Sequence, residues 1–202
     1  MSALEKPVFS ADDFLAWEMQ QPDKHEYLAG EVFAMVGASD AHVTISLNLA
    51  AALRAHLRGG PCRAFIADMK LRIDAAQAFF YPDVFVTCSA ADAQSPLFKR
   101  EALLVVEVLS PSTAAYDLGQ KFAQYRQLAT LQEYVLIDSE RVAVDVFRRN
   151  AEGRWVLYPY AEGETVALDS VGLSLPVAAI YEDVVFSRGA DAEAAQSGAS
   201  TG

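Results

Sequence analysis

The sequence predicts an α/β fold, a mixed β-sheet flanked by helices, with a β-rich extension at the C-terminal end. Three observations predict it. Residues 41–57 repeat their apolar side chains as a helix does, and three runs rich in β-branched and aromatic residues follow. A second helical pattern leads into another such run, "EYVLID". Beyond residue 140 the pattern changes to two-residue alternation.

Each element has a local reason. In "FSADDFLAWEMQQ", Ser10 suits an N-cap, Asp12 and Asp13 suit the first turn, and Phe14, Leu15 and Trp17 supply an apolar face. "HEYLAGEVFAMVG" predicts two short strands around Ala29 and Gly30. "AHVTISLNLAAALRAHL" places apolar residues at 43, 45, 47, 49, 50, 53 and 57 and stops at Gly59-Gly60-Pro61, so it predicts a long helix. "CRAFIADMKLRID", "FYPDVFVTC" and "ALLVVEVLS" predict three successive strands. Pro111 ends the third, and Ser112 and Thr113 are expected to cap the helix "AAYDLGQKFAQYRQLAT", whose Leu118, Phe122, Tyr125 and Ala129 share a face. "VAVDVFRR" and "RWVLYPY" predict an antiparallel pair around the turn "NAEG", residues 150–153. Residues 187–202 hold almost no large apolar side chain and are expected to be a disordered tail after one domain over 1–186.

Composition narrows the classes. No apolar run approaches the roughly 20 residues of a membrane span, and the first residues lack the apolar core of an export signal. A cytoplasmic protein with no membrane partner is the expectation. Cys62 and Cys88 lack the spacing of a zinc site and are expected to be reduced packing residues. A formal net charge of −11 opposes a polyanionic partner at long range, so nucleic-acid binding would need local clustering of its cations. The candidates are Arg54, Arg58, Arg63, Lys70, Arg72, Lys99, Arg100, Lys121 and Arg126.

The chemistry points to two carboxylates in apolar strands, Asp83 in "YPDVFVTC" and Glu107 in "LLVVEVLSPST". A buried ionised carboxylate needs a partner, a proton or a cation. Alternation puts Asp83 on one face with Phe85 and Thr87, and Glu107 on one face with Val105. On neighbouring strands the two would converge into a site for a hard divalent cation such as Mg²⁺ or Mn²⁺, which polarises a phosphoryl oxygen. Lys121 borders the predicted apolar helix face, from which its ammonium would meet charge developing on a phosphate. An ordinary surface pair with Asp117, four residues earlier, is the alternative. As a partly exposed side chain, its loss would change stability by only about 0.5 kcal/mol.

Other polar residues carry weaker signals. Glu31 would add a carboxylate beside the metal or stabilise the hairpin, and Glu26 ranks below it. His42 would cap or contact the helix it precedes, while His25 and His56 share no ligand spacing with it. Asp68 and Lys70 are expected on one strand face. Walker, dinucleotide and G-x-S-x-G fingerprints are missing from the sequence.

Pro82-Asp83, then Glu107 on an apolar strand, then a lysine about one helical turn onward resembles the PD-(D/E)XK nuclease superfamily. More narrowly, "YPDVFVTC", "LVVEVLSPST", "DLGQKFAQY" and "EYVLID", with "HEYLAGEVFAM" and "DAHVTI" before them, resemble the Uma-type restriction endonuclease family over roughly residues 8–185. The resemblance implies a restriction-endonuclease-like fold and a metal-dependent DNA endonuclease. Asp83 and Glu107 would hold Mg²⁺ or Mn²⁺, and Lys121 would act from the following helix. The usual superfamily lysine, two residues after the second acid, is Leu109 here. Symmetric cleavage of duplex DNA would favour a homodimer. The rival expectation is a non-catalytic nuclease-fold protein that acts through protein contacts.

Overall fold

The computed structural model describes residues 9–35 and 37–186; the predicted tail, 187–202, lies outside them. Helix α1 (Ala11–Glu18) leads into the hairpin β1 (His25–Leu28) and β2 (Glu31–Ala34). Helix α2 (Asp40–His56) precedes β3 (Arg63–Ile66), β4 (Lys70–Ile73), β5 (Ala78–Phe80) and β6 (Val84–Thr87). A short α3 (Ala90–Ala93) and β7 (Phe98–Lys99) come before the long β8 (Ala102–Leu109). A bent helical passage follows: α4 (Ala114–Tyr116), a π-helical turn at Asp117–Lys121, and α5 (Phe122–Tyr125). The chain then forms β9 (Glu133–Asp138), β10 (Val144–Arg149), β11 (Trp155–Tyr160), β12 (Thr165–Leu168), β13 (Leu173–Pro176) and α6 (Val177–Ile180).

The central sheet is six-stranded in the order β11-β10-β9-β8-β6-β3. It is mixed: β8 and β9 run parallel, joined by the helical crossover, and the remaining neighbours are antiparallel. On one face α2 packs Ile45, Leu49 and Leu53, spaced four apart, onto Val84, Val86, Leu104 and Val106. The C-terminal hairpin and α6 extend that layer through Val166, Leu168, Val177 and Ile180. The opposite face packs Phe85, Val105 and Tyr134 against α5 and a second sheet, of order β2-β1-β5-β4-β7. The α/β architecture with its β-rich C-terminal part is therefore as the sequence predicts. Among the described residues no helix is long and apolar enough to cross a membrane.

Local signals held where side chains could satisfy the backbone directly. Ser10 accepts from the Asp13 amide at 3.1 Å while Asp13 accepts from the Ser10 amide at 3.1 Å, a reciprocal cap. Ser39 caps α2 by accepting from the His42 amide.

Several expectations are corrected. The segment 62–74 is two strands in different sheets, because the chain turns at residues 67–69. Asp68 and Lys70 therefore share no strand face: Asp68 sits in the turn and pairs with Lys24. The segment around Asp83 is also divided, with Tyr81, Pro82 and Asp83 between β5 and β6. Neither Ser112 nor Thr113 caps the helix after Pro111; the Thr113 hydroxyl lies 3.1 Å from that of Ser110 instead. Cys62 and Cys88 are joined as a disulfide. The cause is register, since Arg63 pairs with Thr87 across β3 and β6 and the residues just beyond them face each other.

The helical phase is corrected too. Leu118 is 48% exposed, whereas Asp117, Lys121, Phe122 and Tyr125 are buried. The π-helical turn rotates the buried face by about one residue, drawing Asp117 and Lys121 inward with the aromatic residues. Phe122 stacks on Tyr134 with ring centroids 4.7 Å apart, which anchors α5 to β9.

Candidate active site

Glu107 lies in the interior of β8, where alternation sends Val106 and Val108 to the α2 side and Glu107 to the opposite side. Val84 pairs with Val106 across β6 and β8, so Asp83, one residue earlier, stands opposite Glu107. The register thus sets the two residues opposite each other at the end of the sheet.

Lys121 reaches the same place from the π-helical turn. Its Nζ lies 3.0 Å from Oε1 of Glu107, 3.0 Å from Oε1 of Glu26 and 3.7 Å from Oδ1 of Asp117. The surface pairing with Asp117 is overturned, since both side chains are buried and the lysine is shared among three acids. Glu26 comes from β1 and also accepts from the Tyr81 amide. Glu31, on β2, is exposed, and the hairpin carboxylate that reaches Lys121 is Glu26.

Each carboxylate is held by further groups. Tyr125 donates its hydroxyl to Oε1 of Glu107 at 2.7 Å. The Val108 amide donates to Oδ2 of Asp83 at 2.7 Å, and Nε2 of His42 lies 2.9 Å from Oδ1. His42 arrives from the first turn of α2, so the helix that packs on one sheet face also reaches around the sheet end. His25 instead pairs with Glu18, and His56 meets the Val171 carbonyl. A neighbouring chain of bonds links Tyr81 through its hydroxyl to buried Glu18.

The electrostatics follow from burial. Burial pushes the Glu107 carboxyl well above its ordinary range; Lys121 opposes that rise and the carboxylates of Asp83, Asp117 and Glu26 reinforce it. Burial also raises Asp117, again against Lys121. For Lys121 burial favours the neutral amine, but Glu107, Glu26 and Asp117 outweigh it and hold the group well above its usual value. Burial and the nearby acids push the Tyr116 hydroxyl up to about 12. Lys121 is therefore an ammonium at neutral pH, set among three acidic side chains that outnumber it.

Among the described residues no three His, Cys, Asp or Glu side chains form a ready-made metal-holding group. The oxygens of Asp83 and Glu107 are instead engaged by His42, the Val108 amide, Tyr125 and Lys121. By donor type and charge the residues nevertheless fit a hard divalent cation: the donors are carboxylate oxygens, and buried negative charge exceeds the local positive charge. Asp83 and Glu107 could hold such an ion.

Of the residues singled out by sequence, Glu107 and Lys121 touch, Asp83 stands opposite Glu107 across the strands, and Glu31 does not join them. Sequence reasoning undervalued Glu26, Asp117 and His42. Glu26 carried a usable signal, a carboxylate between apolar-strand neighbours in "HEYL"; His42 carried none beyond its place in a first helical turn.

The family model described as "Uma2: Putative restriction endonuclease" matches residues 11–178. The chain is 41% identical over 180 residues to the uncharacterized protein slr1290 of Synechocystis, a match covering 89% of this chain and 95% of that one. It is 33% identical over 157 residues to the uncharacterized protein sll1609 of the same organism, covering 74% of this chain and 86% of the other. Among solved structures it is similar to a putative nuclease belonging to DUF820 from Anabaena variabilis, with a TM-score of 0.70 over 87% of this chain and 99% of that one. At 16% identity that likeness is one of fold.

Proposed function

Since the chain belongs to the Uma2 family of putative restriction endonucleases, we propose that it is a metal-dependent DNA endonuclease in which Asp83 and Glu107 hold Mg²⁺ or Mn²⁺ and Lys121 is catalytic. The observation that carries this reading is the 3.0 Å contact of Lys121 with Glu107, on a buried face where Asp83 stands opposite. The chain has a nuclease-like fold, and this cluster gathers the charged groups that phosphodiester hydrolysis needs.

A bound divalent ion supplies Lewis-acid polarisation of a phosphoryl oxygen. The protein's own groups do the rest. Tyr125 fixes the Glu107 carboxylate, while His42 and the Val108 amide fix that of Asp83, so neither must reorganise during reaction. Three surrounding acids keep Lys121 protonated, and its ammonium meets negative charge that grows on the phosphate toward the transition state. The same reading puts the enzyme in the cytoplasm, cutting both strands of duplex DNA as a homodimer.

Nicking of supercoiled DNA with Mg²⁺ or Mn²⁺ tests the reading. Wild type should nick, and Asp83→Asn, Glu107→Gln and Lys121→Met should each lose about 10²-fold or more in rate. Wild-type rates in Lys121→Met would remove the lysine from the mechanism. A net charge of −11 and Leu109 at the usual lysine position favour a second reading, a non-catalytic nuclease-fold protein acting through protein contacts. No nicking by wild type on varied DNA would select it.

A further inference from the structure

We infer that Arg54, Arg58 and Arg63 form a second phosphate-binding site, which grips the backbone of duplex DNA at a distance from the Glu107 cluster. The inference rests on the reading of that cluster as a DNA-cleaving centre. The three arginines line one open cavity of about 490 Å³, with Leu57, Cys62 and Phe65 among its other walls, and no acidic residue lines it. All three are exposed.

They gather around one cavity with no carboxylate in its lining, although the chain is acidic. Acidic residues outnumber basic ones, 27 to 16, and four other arginines are ion-paired, Arg72 and Arg100 on Asp74, Arg141 on Asp138, Arg148 on Glu133 and Asp169; Arg126, Arg149 and Arg154 also make no ion pair among the described residues, but they do not line this cavity. Among the described residues Arg54, Arg58 and Arg63 make no ion pair. A role in offsetting the carbonyl end of α2 accounts for Arg54, which sits in the last turn. It does not account for Arg58, which follows the helix, or for Arg63, which lies on β3. Three guanidinium groups around one cavity repel one another until an anion enters. Their planar donor forks suit phosphate oxygens.

The placement favours an extended polyanion. β3 is an edge strand of the six-stranded sheet, and its Ile66 pairs with Val84, next to Asp83. Arg63 therefore lies about 10 Å along the strand from the cluster's end of the sheet, at about 3.4 Å per residue. Along α2, the step from His42 to Arg54 is about 18 Å at 1.5 Å per residue. Duplex DNA presents one phosphate per strand about every 3.4 Å of axis, so a backbone at the cluster reaches the arginines about three to five base pairs away.

The test measures binding of a fluorescent 24-base-pair duplex in metal-free buffer across a salt series. It compares wild type, the R54A/R58A/R63A variant, the matching R54K/R58K/R63K variant and Glu107→Gln, with melting curves as the folding control. The alanine variant should bind more than tenfold more weakly at low salt, and its slope of log affinity against log salt should fall by about 2.7, at about 0.9 per phosphate contact. The lysine variant should recover most of that slope, and Glu107→Gln should bind at least as tightly as wild type. Wild-type affinity and slope in a folded alanine variant would overturn the inference; if that variant also nicks DNA normally, the cleavage reading stands alone. Binding that depends on the arginines without nicking by wild type would leave the phosphate site and remove the cleavage reading. No duplex binding by wild type at low salt would overturn the site outright.

Discussion

Nζ of Lys121 lies 3.0 Å from Oε1 of Glu107 with both side chains buried, at 8% and 4% exposure. An ammonium in that position is the local counter-ion for a carboxylate that has almost no access to water. Its removal is therefore a structural change as well as a chemical one.

Lys121→Met should destabilise the protein by about 3–5 kcal/mol at neutral pH, because it leaves buried acids without their cation. This replaces the 0.5 kcal/mol expected of a partly exposed lysine. The lysine's folded pKa is raised, so its contribution is complete below the ordinary lysine value of 10.5 and is lost as pH rises through the folded pKa. Denaturant melts from pH 7 to pH 11 should show the gap between wild type and variant closing only above pH 10.5. A constant gap, or none at pH 7, would contradict the pairing.

Glu107→Gln should become more favourable relative to wild type as pH rises. The folded pKa of Glu107 is raised by burial, so its contribution to stability is present below the ordinary value of 4.5 and is lost as pH climbs through the folded value. Glutamine is neutral and has no such loss, and it can still accept from Tyr125. Metal-free melting temperatures of both proteins from pH 4 to pH 8 provide the measurement, and parallel curves would show that the carboxyl does not titrate in that window.

Glu133→Ala should loosen the C-terminal hairpin without dismantling the central sheet. Glu133 is fully buried and accepts from Arg148 at 2.8 Å, the Asp169 amide at 3.1 Å and the Ser170 amide at 2.9 Å. Deleting it leaves two amides without their acceptor and Arg148 with Asp169 and the Ala167 carbonyl alone, a loss of about 3 kcal/mol. Hydrogen exchange should speed up across residues 165–176 far more than across residues 102–109.

Reduction of Cys62–Cys88 should lower stability by about 3–4 kcal/mol, the loop-closure contribution for residues 26 apart. Thiol titration of protein denatured without reductant should find no free thiols, and a melting curve taken with reductant should shift downward. Two free thiols in protein handled without reductant would show that the pair stays open, as a reducing cytoplasm would favour.

The sequence by itself determined most of the helix and strand segments up to residue 160, because periodicity and capping act within a few residues; β12, β13 and α6 were not read from it. The Ile45, Leu49 and Leu53 stripe, the Ser10 cap and the apolar run around Glu107 are all legible from spacing, and so is the α/β order they build. Asp83 and Glu107 were legible as candidates because a carboxylate in an apolar strand stands out against its neighbours. Tertiary structure decided what no local pattern contains. The turn at residues 67–69 sends one apparent strand into two sheets, and β3–β6 register brings Cys62 to Cys88. The π-helical turn exchanges exposed Leu118 for buried Lys121, and packing of β1 and α2 delivers Glu26 and His42 to residues far away in sequence. Each of these depends on where separate elements dock, and docking is set by the fit of whole faces. The charge balance around Lys121 exists only once those faces have closed over it.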